Sequence, residues 1–435
     1  MRTFKELGRR RFLKQSIAGF FGMGMVPATQ ANFGQEQEKE KTLKVKRYRT
    51  LGRTGFEVSD IGGGFLNDAG LINAMLDSGV NYIDTAESYG TQRVIGSAIK
   101  GRDRKSIFIT SKLEIKDDVS KEGFVKRAHK CLEELQTDYI DCMMMHMPEK
   151  REILKTEGFH QAMAQLKSEG RIRFVGISNH GSFWFKDPEE TMDKVLGAAA
   201  EDGRFDVFLM AYNFLQMDMG NRILQLCKEK NIGTTLMKST PIAKYYILKD
   251  RVDELEKQGK EVHPLYREGL VRFKDKLQRA EHFIKKYDLN NPEEIKEAAV
   301  RFVLDNPNVN TVCCSMKNYD DLERFVRLSG QGLSDWDREK LAAYKEGCGS
   351  LYCRHACGLC EPACPQGVPV NTIMRYFHYF VSQGREKYAM AKYTSIPGIN
   401  ANVCLDCEGY CEKACPYGVP IQAMLGLAHE RLTMV

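Results

Sequence analysis

Between residues 47 and 345 the chain repeats one unit eight times: a short apolar run, then an amphipathic stretch. The runs are VSDIGGG, YIDTAES, SIFITSKL, YIDCMMMH, RFVGISN, FDVFLMAY, GTTLMKS and VNTVCCSM. Between them lie stretches such as LINAMLDSG, KEGFVKRAHKCLEEL, FHQAMAQLKSEG and PEEIKEAAVRFVLDNP, with apolar residues at helical spacing, and DDLERFVRLSG closes the set. Strands that alternate with helices pair in parallel. Eight such units predict an α/β fold, a closed (β/α)8 TIM barrel over 47–346. The rival is an open doubly wound sheet, which needs a glycine-rich dinucleotide fingerprint after its first strand. GGGF at 62–65 lacks that spacing.

One insertion interrupts the repeat. Residues 244–287, after the seventh strand, are charged and helix-prone. They fall on the strand-exit side, so they form either a lid over a site there or a surface decoration.

In barrels of this kind chemistry sits where the strands exit. Four polar residues fall there: Asp84 and Tyr89 in DTAESYG, Lys112 in TSKL and His146 in MMMHMP. A phenol is a poor acid at neutral pH. An adjacent ammonium such as Lys112 lowers its pKa. Asp84 can hold Lys112, and His146 can orient a substrate carbonyl. Tyr89 then donates a proton as hydride reaches the carbonyl carbon.

With LGRTGFEVS near the start and VGISN at strand five, these motifs stand in the order of the aldo/keto reductase family, which residues 47–330 resemble. The resemblance implies a barrel that binds NADP(H) or NAD(H) without a Rossmann fold. It implies a catalytic tetrad of Asp84, Tyr89, Lys112 and His146. It assigns Ser178 and Asn179 to the nicotinamide carboxamide, and SMKN, with Ser315 and Lys317, to the cofactor phosphates. Three features depart from the family pattern: CCSMKN stands where GxS or PKS often follows strand eight, and two single positions differ. Leu209 stands where many members carry a glutamine, and Phe325 where an asparagine often meets the adenine.

The chain has 14 cysteines. Cys131, Cys142, Cys227, Cys313, Cys314 and Cys348 are scattered and read as small apolar core residues. The rest form two runs, each ending in proline: Cys353, Cys357, Cys360 and Cys364, then Cys404, Cys407, Cys411 and Cys415. Each departs by one residue, at a different gap, from the bacterial ferredoxin pattern. Zinc needs four sulfurs but no proline, and a disulfide framework is strained at such short intervals. The runs predict 4Fe–4S clusters: two, or one if the extra residue spoils one run. The aromatic, helix-prone residues between them resemble helical two-cluster ferredoxin domains. That resemblance makes 347–435 a small, mainly helical ferredoxin-like domain. It groups Cys353, Cys357 and Cys360 with Cys415, and Cys404, Cys407 and Cys411 with Cys364.

The net charge of +6 is misleading. Residues 1–31 hold Arg2, Lys5, Arg9, Arg10, Arg11 and Lys14 against Glu6, which leaves the rest nearly neutral. Nucleic-acid binding is therefore not expected. The run from Arg9 to Lys14 resembles a twin-arginine (Tat) export signal. The apolar stretch after it is too short to span a bilayer, so no transmembrane span is expected beyond the signal. An ordinary secretory signal or a retained anchor is the rival. Residues 32–46 read as a solvated linker. The twin-arginine route moves folded protein, so clusters assembled in the cytoplasm can leave already bound, for the periplasm.

The combined expectation is an exported oxidoreductase. It links NAD(P)H to reduction of a small-molecule carbonyl or oxidation of an alcohol. Its iron–sulfur clusters serve electron transfer, with a redox partner protein. The alternative is an electron-transfer or binding protein whose barrel is a scaffold.

Overall fold

The computed structural model describes residues 43–180, 190–242, 247–287, 292–355 and 357–433. The expected export signal at 1–31 and most of the linker lie outside the described residues. First comes an antiparallel hairpin, β1 (Tyr48–Thr50) and β2 (Glu57–Ser59), which the sequence reading did not anticipate. Its turn needs Gly52: φ is +49°, and a Cβ there would stand 2.2 Å from the Gly233 nitrogen.

Eight parallel strands follow: β3 (Ile61–Gly63), β4 (Tyr82–Asp84), β5 (Phe108–Glu114), β6 (Ile140–His146), β7 (Ile172–Asn179), β8 (Val207–Ala211), β9 (Gly233–Met237) and β10 (Thr311–Cys314). They close into a barrel in which β10 pairs with both β3 and β9. Every run predicted as a strand supplies one of them. Helices α1 (Ala69–Asp77), α2 (Gln92–Ile99), α3 (Lys121–Leu135), α4 (Glu157–Ser168), α5 (Met192–Asp202) and α6 (Asp218–Glu229) connect the earlier strands. Asp68 caps α1 by accepting from the Leu71 amide at 2.7 Å.

Alternation along each strand sorts the side chains. Ile83, Ile109, Leu113, Met143, Met145, Val175 and Ile177 face outward and join the helices in one large core. Tyr82, Phe108, Cys142, Met144, Val207 and Leu209 face inward, and Leu51 and Val58 of the hairpin pack against them. The barrel interior is thus filled by side chains and plugged by the hairpin.

The remaining helices are α7 (Ile247–Lys257), α8 (Pro264–Lys286), α9 (Pro292–Asp305), α10 (Tyr319–Leu328), α11 (Asp335–Cys348), α12 (Val370–Val381), α13 (Glu386–Thr394), α14 (Tyr410–Lys413) and α15 (Ile421–Leu432). The stretch between the cysteine runs is helical, as expected. A second apolar cluster joins Leu248, Val252 and Tyr266 of the insertion to Tyr344, Ile373, Phe377, Leu425 and Leu427. Arg272 pairs with Glu412 at 2.9 Å, and Tyr266 donates to Glu430 at 3.3 Å. The insertion is therefore not a free decoration. It is the surface on which the cysteine-bearing segment docks. The scattered Cys131, Cys142, Cys227, Cys314 and Cys348 are buried, and Cys313 packs at the barrel interior.

Candidate active site

Inward parity carries three of the four predicted residues to one place. On β4 it runs from Tyr82 to Asp84, on β5 from Phe108 to Lys112, and on β6 from Cys142 to His146. Lys112 is wholly buried, and its Nζ stands 2.7 Å from Asp84 Oδ1. It also donates to the Thr85 carbonyl at 2.6 Å. Tyr89 reaches the same mouth from the loop after β4, which Thr85 and Thr91 close by a 2.8 Å hydroxyl contact. Lys112 Nζ lies 4.7 Å from the centre of the Tyr89 ring, and the His146 ring stands edge-on to it at 5.9 Å.

The electrostatics correct one expectation. Burial, then Asp84, push the Tyr89 phenol well above its ordinary value. Lys112 faces the ring of Tyr89 and makes no hydrogen bond to its hydroxyl among the described residues. Burial also raises Asp84 against the pull of Lys112. Burial and the Lys112 charge lower His146 to about 3, so its imidazole is neutral. A neutral imidazole can still donate to a carbonyl through the nitrogen that carries the proton.

His146 is in register with Ser178 on β7, and Ser178 with Leu209 on β8. Ser178 is buried, and its Oγ has no hydrogen-bond partner among the described residues. Asn179 donates to the Pro148 carbonyl at 2.9 Å. Ser315 and Lys317 are exposed just beyond β10, where Lys317 donates to the Gln383 carbonyl. Leu209 lies in the barrel interior and Phe325 in the core beneath α10.

The sequence reading missed what the cysteine-bearing segment brings to this mouth. Tyr379 of α12 accepts from Lys238 Nζ at 2.6 Å. Arg385 lies 4.2 Å over Phe65 and 3.9 Å over Tyr388, and Phe65 in turn packs on Tyr89 at 5.9 Å. Lys238 was within reach: it follows β9 in GTTLMKS, the strand-exit position that Lys112 holds in TSKL. Nothing in the spacing links Tyr379 or Arg385 to it.

The eight patterned cysteines are free thiols. Cys364, Cys404, Cys407 and Cys411 line one cavity together with Val403 and Leu425. Electrostatic contact links Cys353, Cys357 and Cys360 to Cys415. Burial and neighbouring thiols raise Cys353, Cys404 and Cys411 to about 12. Among the described residues, no three His, Cys, Asp or Glu side chains converge tightly enough to clasp a single metal ion. No described helix is long and apolar enough to cross a membrane.

The sequence pattern of the aldo/keto reductase family matches residues 67–345, well over half of the chain. The aldo-keto reductase YhdN of Bacillus subtilis is 25% identical over 321 residues, which is 68% of this chain and 92% of that protein. The methylglyoxal reductase DkgB of Escherichia coli O157:H7 is 34% identical over 110 residues, covering 25% of this chain and 41% of that protein. A solved aldo/keto reductase of Klebsiella pneumoniae, in complex with NADP and acetate, is 21% identical, with a TM-score of 0.48. It covers 68% of this chain and 94% of its own. With the closed eight-stranded barrel on which that sequence pattern lies, the chain belongs to the aldo/keto reductase family and is an oxidoreductase.

Proposed function

We propose that this protein reduces a small-molecule carbonyl, or oxidises the corresponding alcohol, with NADP(H) or NAD(H), and that its C-terminal segment holds two 4Fe–4S clusters. One observation carries the first half: the Asp84–Lys112 ion pair lies beneath Tyr89, with His146 across the same mouth. When bound, the nicotinamide supplies a hydride to the carbonyl carbon. Ser178 Oγ and Asn179 would hold its carboxamide, and the unpartnered Oγ is a group such a contact would satisfy. Ser315 and Lys317 would meet the phosphates. His146, neutral, donates to the carbonyl oxygen and fixes its direction. Tyr89, kept protonated by its surroundings, releases its proton to that oxygen. The buried Lys112 charge, held by Asp84, offsets the phenolate left behind.

The cavity lined by Cys364, Cys404, Cys407 and Cys411 supports the second half. It draws its fourth thiol from the other run. Cys353, Cys357, Cys360 and Cys415 would hold the other cluster. When bound, such clusters supply one-electron redox chemistry, with a redox partner protein as donor or acceptor. The thiols surround a space and do not converge on a point, which suits a cluster better than zinc.

Export folded by the twin-arginine route, to the periplasm, completes the proposal. It rests on the Arg9 to Lys14 run and on the need to load thiols before they meet an oxidising compartment. A second reading, a scaffold barrel serving an electron-transfer protein, is favoured by one observation: Tyr379 and Arg385 crowd the mouth.

The test is steady-state reduction of phenylglyoxal by NADPH or NADH, with wild type and Tyr89→Phe. Turnover that falls at least about a hundredfold in the variant supports the reductase reading. No turnover in the wild type with either nucleotide would leave the scaffold reading.

A further inference from the structure

The two cysteine runs belong to one internal repeat. CEPACPQGVPVNTIMRYF at 360–377 recurs as CEKACPYGVPIQAMLGLA at 411–428. The backbone repeats as well: Pro369 before α12 and Pro420 before α15 share φ −76°, with ψ 74° and 72°. Glu361 accepts from the Asn371 amide at 2.7 Å, and Glu412 from the Gln422 amide at 3.0 Å. Asn371 Nδ2 donates to the Arg354 carbonyl, and Gln422 Nε2 to the Cys404 carbonyl.

The charges do not repeat. Arg354 follows Cys353 where Leu405 follows Cys404, and Arg375 of α12 stands where Gly426 stands in α15. Both arginines are buried, at 6% and 4% exposure. Arg354 donates to the Gly349 and Tyr352 carbonyls, and its guanidinium carbon lies 4.3 Å over the ring of Tyr417, two residues past Cys415. Its charge therefore sits between the segments that carry Cys353 and Cys415. Its Nε is buried and has no hydrogen-bond partner among the described residues. Cys353, Arg354, Asn371 and Arg375 line one cavity. In the second copy, a Cβ at Gly426 would stand 2.5 Å from the Leu405 side chain, so Leu405 occupies the space a side chain there would take. The other charges do not offset this. Glu361 and Glu412 hold matching places, and Glu412 pairs with Arg272, which is exposed. Asp406 and Glu408 lie exposed beside Cys407.

We propose that Arg354, with Arg375 behind it, makes the site of Cys353, Cys357, Cys360 and Cys415 the more easily reduced of the two. An electron held by the C-terminal segment then rests on the side that Arg375 and His180 join to the barrel. This rests on the two-cluster reading above. A buried guanidinium is costly to hold without an anion, and a cluster on four thiolates is anionic, more so when reduced. A cation in the interior therefore favours the state with one more electron. One electron leaves the site of Cys364, Cys404, Cys407 and Cys411, and the same electron reduces the site of Cys353; no bond or proton changes place. The electrostatics agree, since Arg354 acts on Cys353, Cys357 and Cys415.

The experiment is an anaerobic redox titration of the intact protein, followed by electron paramagnetic resonance, with iron counted on the same sample. It compares wild type with Arg354→Leu, Arg354→Lys and Arg375→Met. The inference expects about eight irons per chain and two separate one-electron steps in the wild type. Arg354→Leu should lower the higher step by at least tenfold in its reduced-to-oxidised ratio, about 59 mV, and leave the lower step in place. Arg354→Lys should keep most of the wild-type value. Arg375→Met should lower the same step by less, and it carries the prediction if Arg354→Leu does not fold. About eight irons with both sites reduced in one step would overturn this inference alone. So would a higher step that neither variant moves, or an equal shift of both steps. About four irons, or none, would overturn the two-cluster reading and this inference with it.

Discussion

Arg375, on the helix between the two cysteine runs, places Nη1 2.8 Å from Nδ1 of His180, the residue after Asn179 at the end of β7. Burial and the Arg375 charge keep His180 neutral, so its Nδ1 accepts. The other arm of Arg375 reaches Asn371 Oδ1 at 3.2 Å, and Asn371 Nδ2 donates to Cys353 Sγ at 3.4 Å. A continuous polar path therefore joins the first cysteine run to the strand end beside the proposed carboxamide position.

If the proposed cluster is held at Cys353, Asn371→Leu should make it harder to reduce. A hydrogen bond to a thiolate stabilises the reduced, more negative state. If it is worth about 1 kcal/mol, its loss lowers the potential by on the order of 40 mV, which an anaerobic redox titration resolves.

Lys112→Met should destabilise the fold by about 3–5 kcal/mol and abolish turnover, because Asp84 is left buried without its cation. The double variant Asp84→Asn/Lys112→Met should recover much of that stability and none of the activity. Urea unfolding checks the first statement and steady-state kinetics the second.

Ser178→Ala should separate binding from folding. Its Oγ is buried and unpartnered, so the free protein should be as stable as wild type or slightly more so. Nicotinamide nucleotide should bind about 5- to 10-fold more weakly, the cost of one hydrogen bond. Calorimetric titration and thermal unfolding on the same sample give both numbers.

Much of this was legible from residues. The eightfold alternation of strand and helix carried the barrel, and the strand-exit positions of Asp84, Lys112 and His146 carried their convergence, while their inward parity came with the structure. The role of 244–287 was not legible, since a helix-prone charged stretch does not say which surface will cover it. The state of Tyr89 was not legible either. Whether an ammonium meets a phenol's ring or its hydroxyl is decided by the loop that carries the phenol. Tyr379 and Arg385 come from a segment far along the chain, and their place over the barrel is set by the apolar cluster shared with α7 and α8.

Acid should weaken this protein partly through His146. The unfolded imidazole takes a proton near pH 6.5, while the folded one waits until about 3. Between those values the unfolded state binds more protons, so stability present above pH 6.5 falls as pH drops. His146→Gln should flatten that fall by up to about 1.4 kcal/mol per pH unit, measured by denaturant unfolding across the window.

The most direct test of the whole account is the iron and nucleotide content of the protein purified without oxygen. The account predicts about eight irons per chain and near-stoichiometric binding of NADPH or NADH. About eight irons with no nucleotide retained, and none bound on adding either form back, would contradict hydride transfer at the barrel.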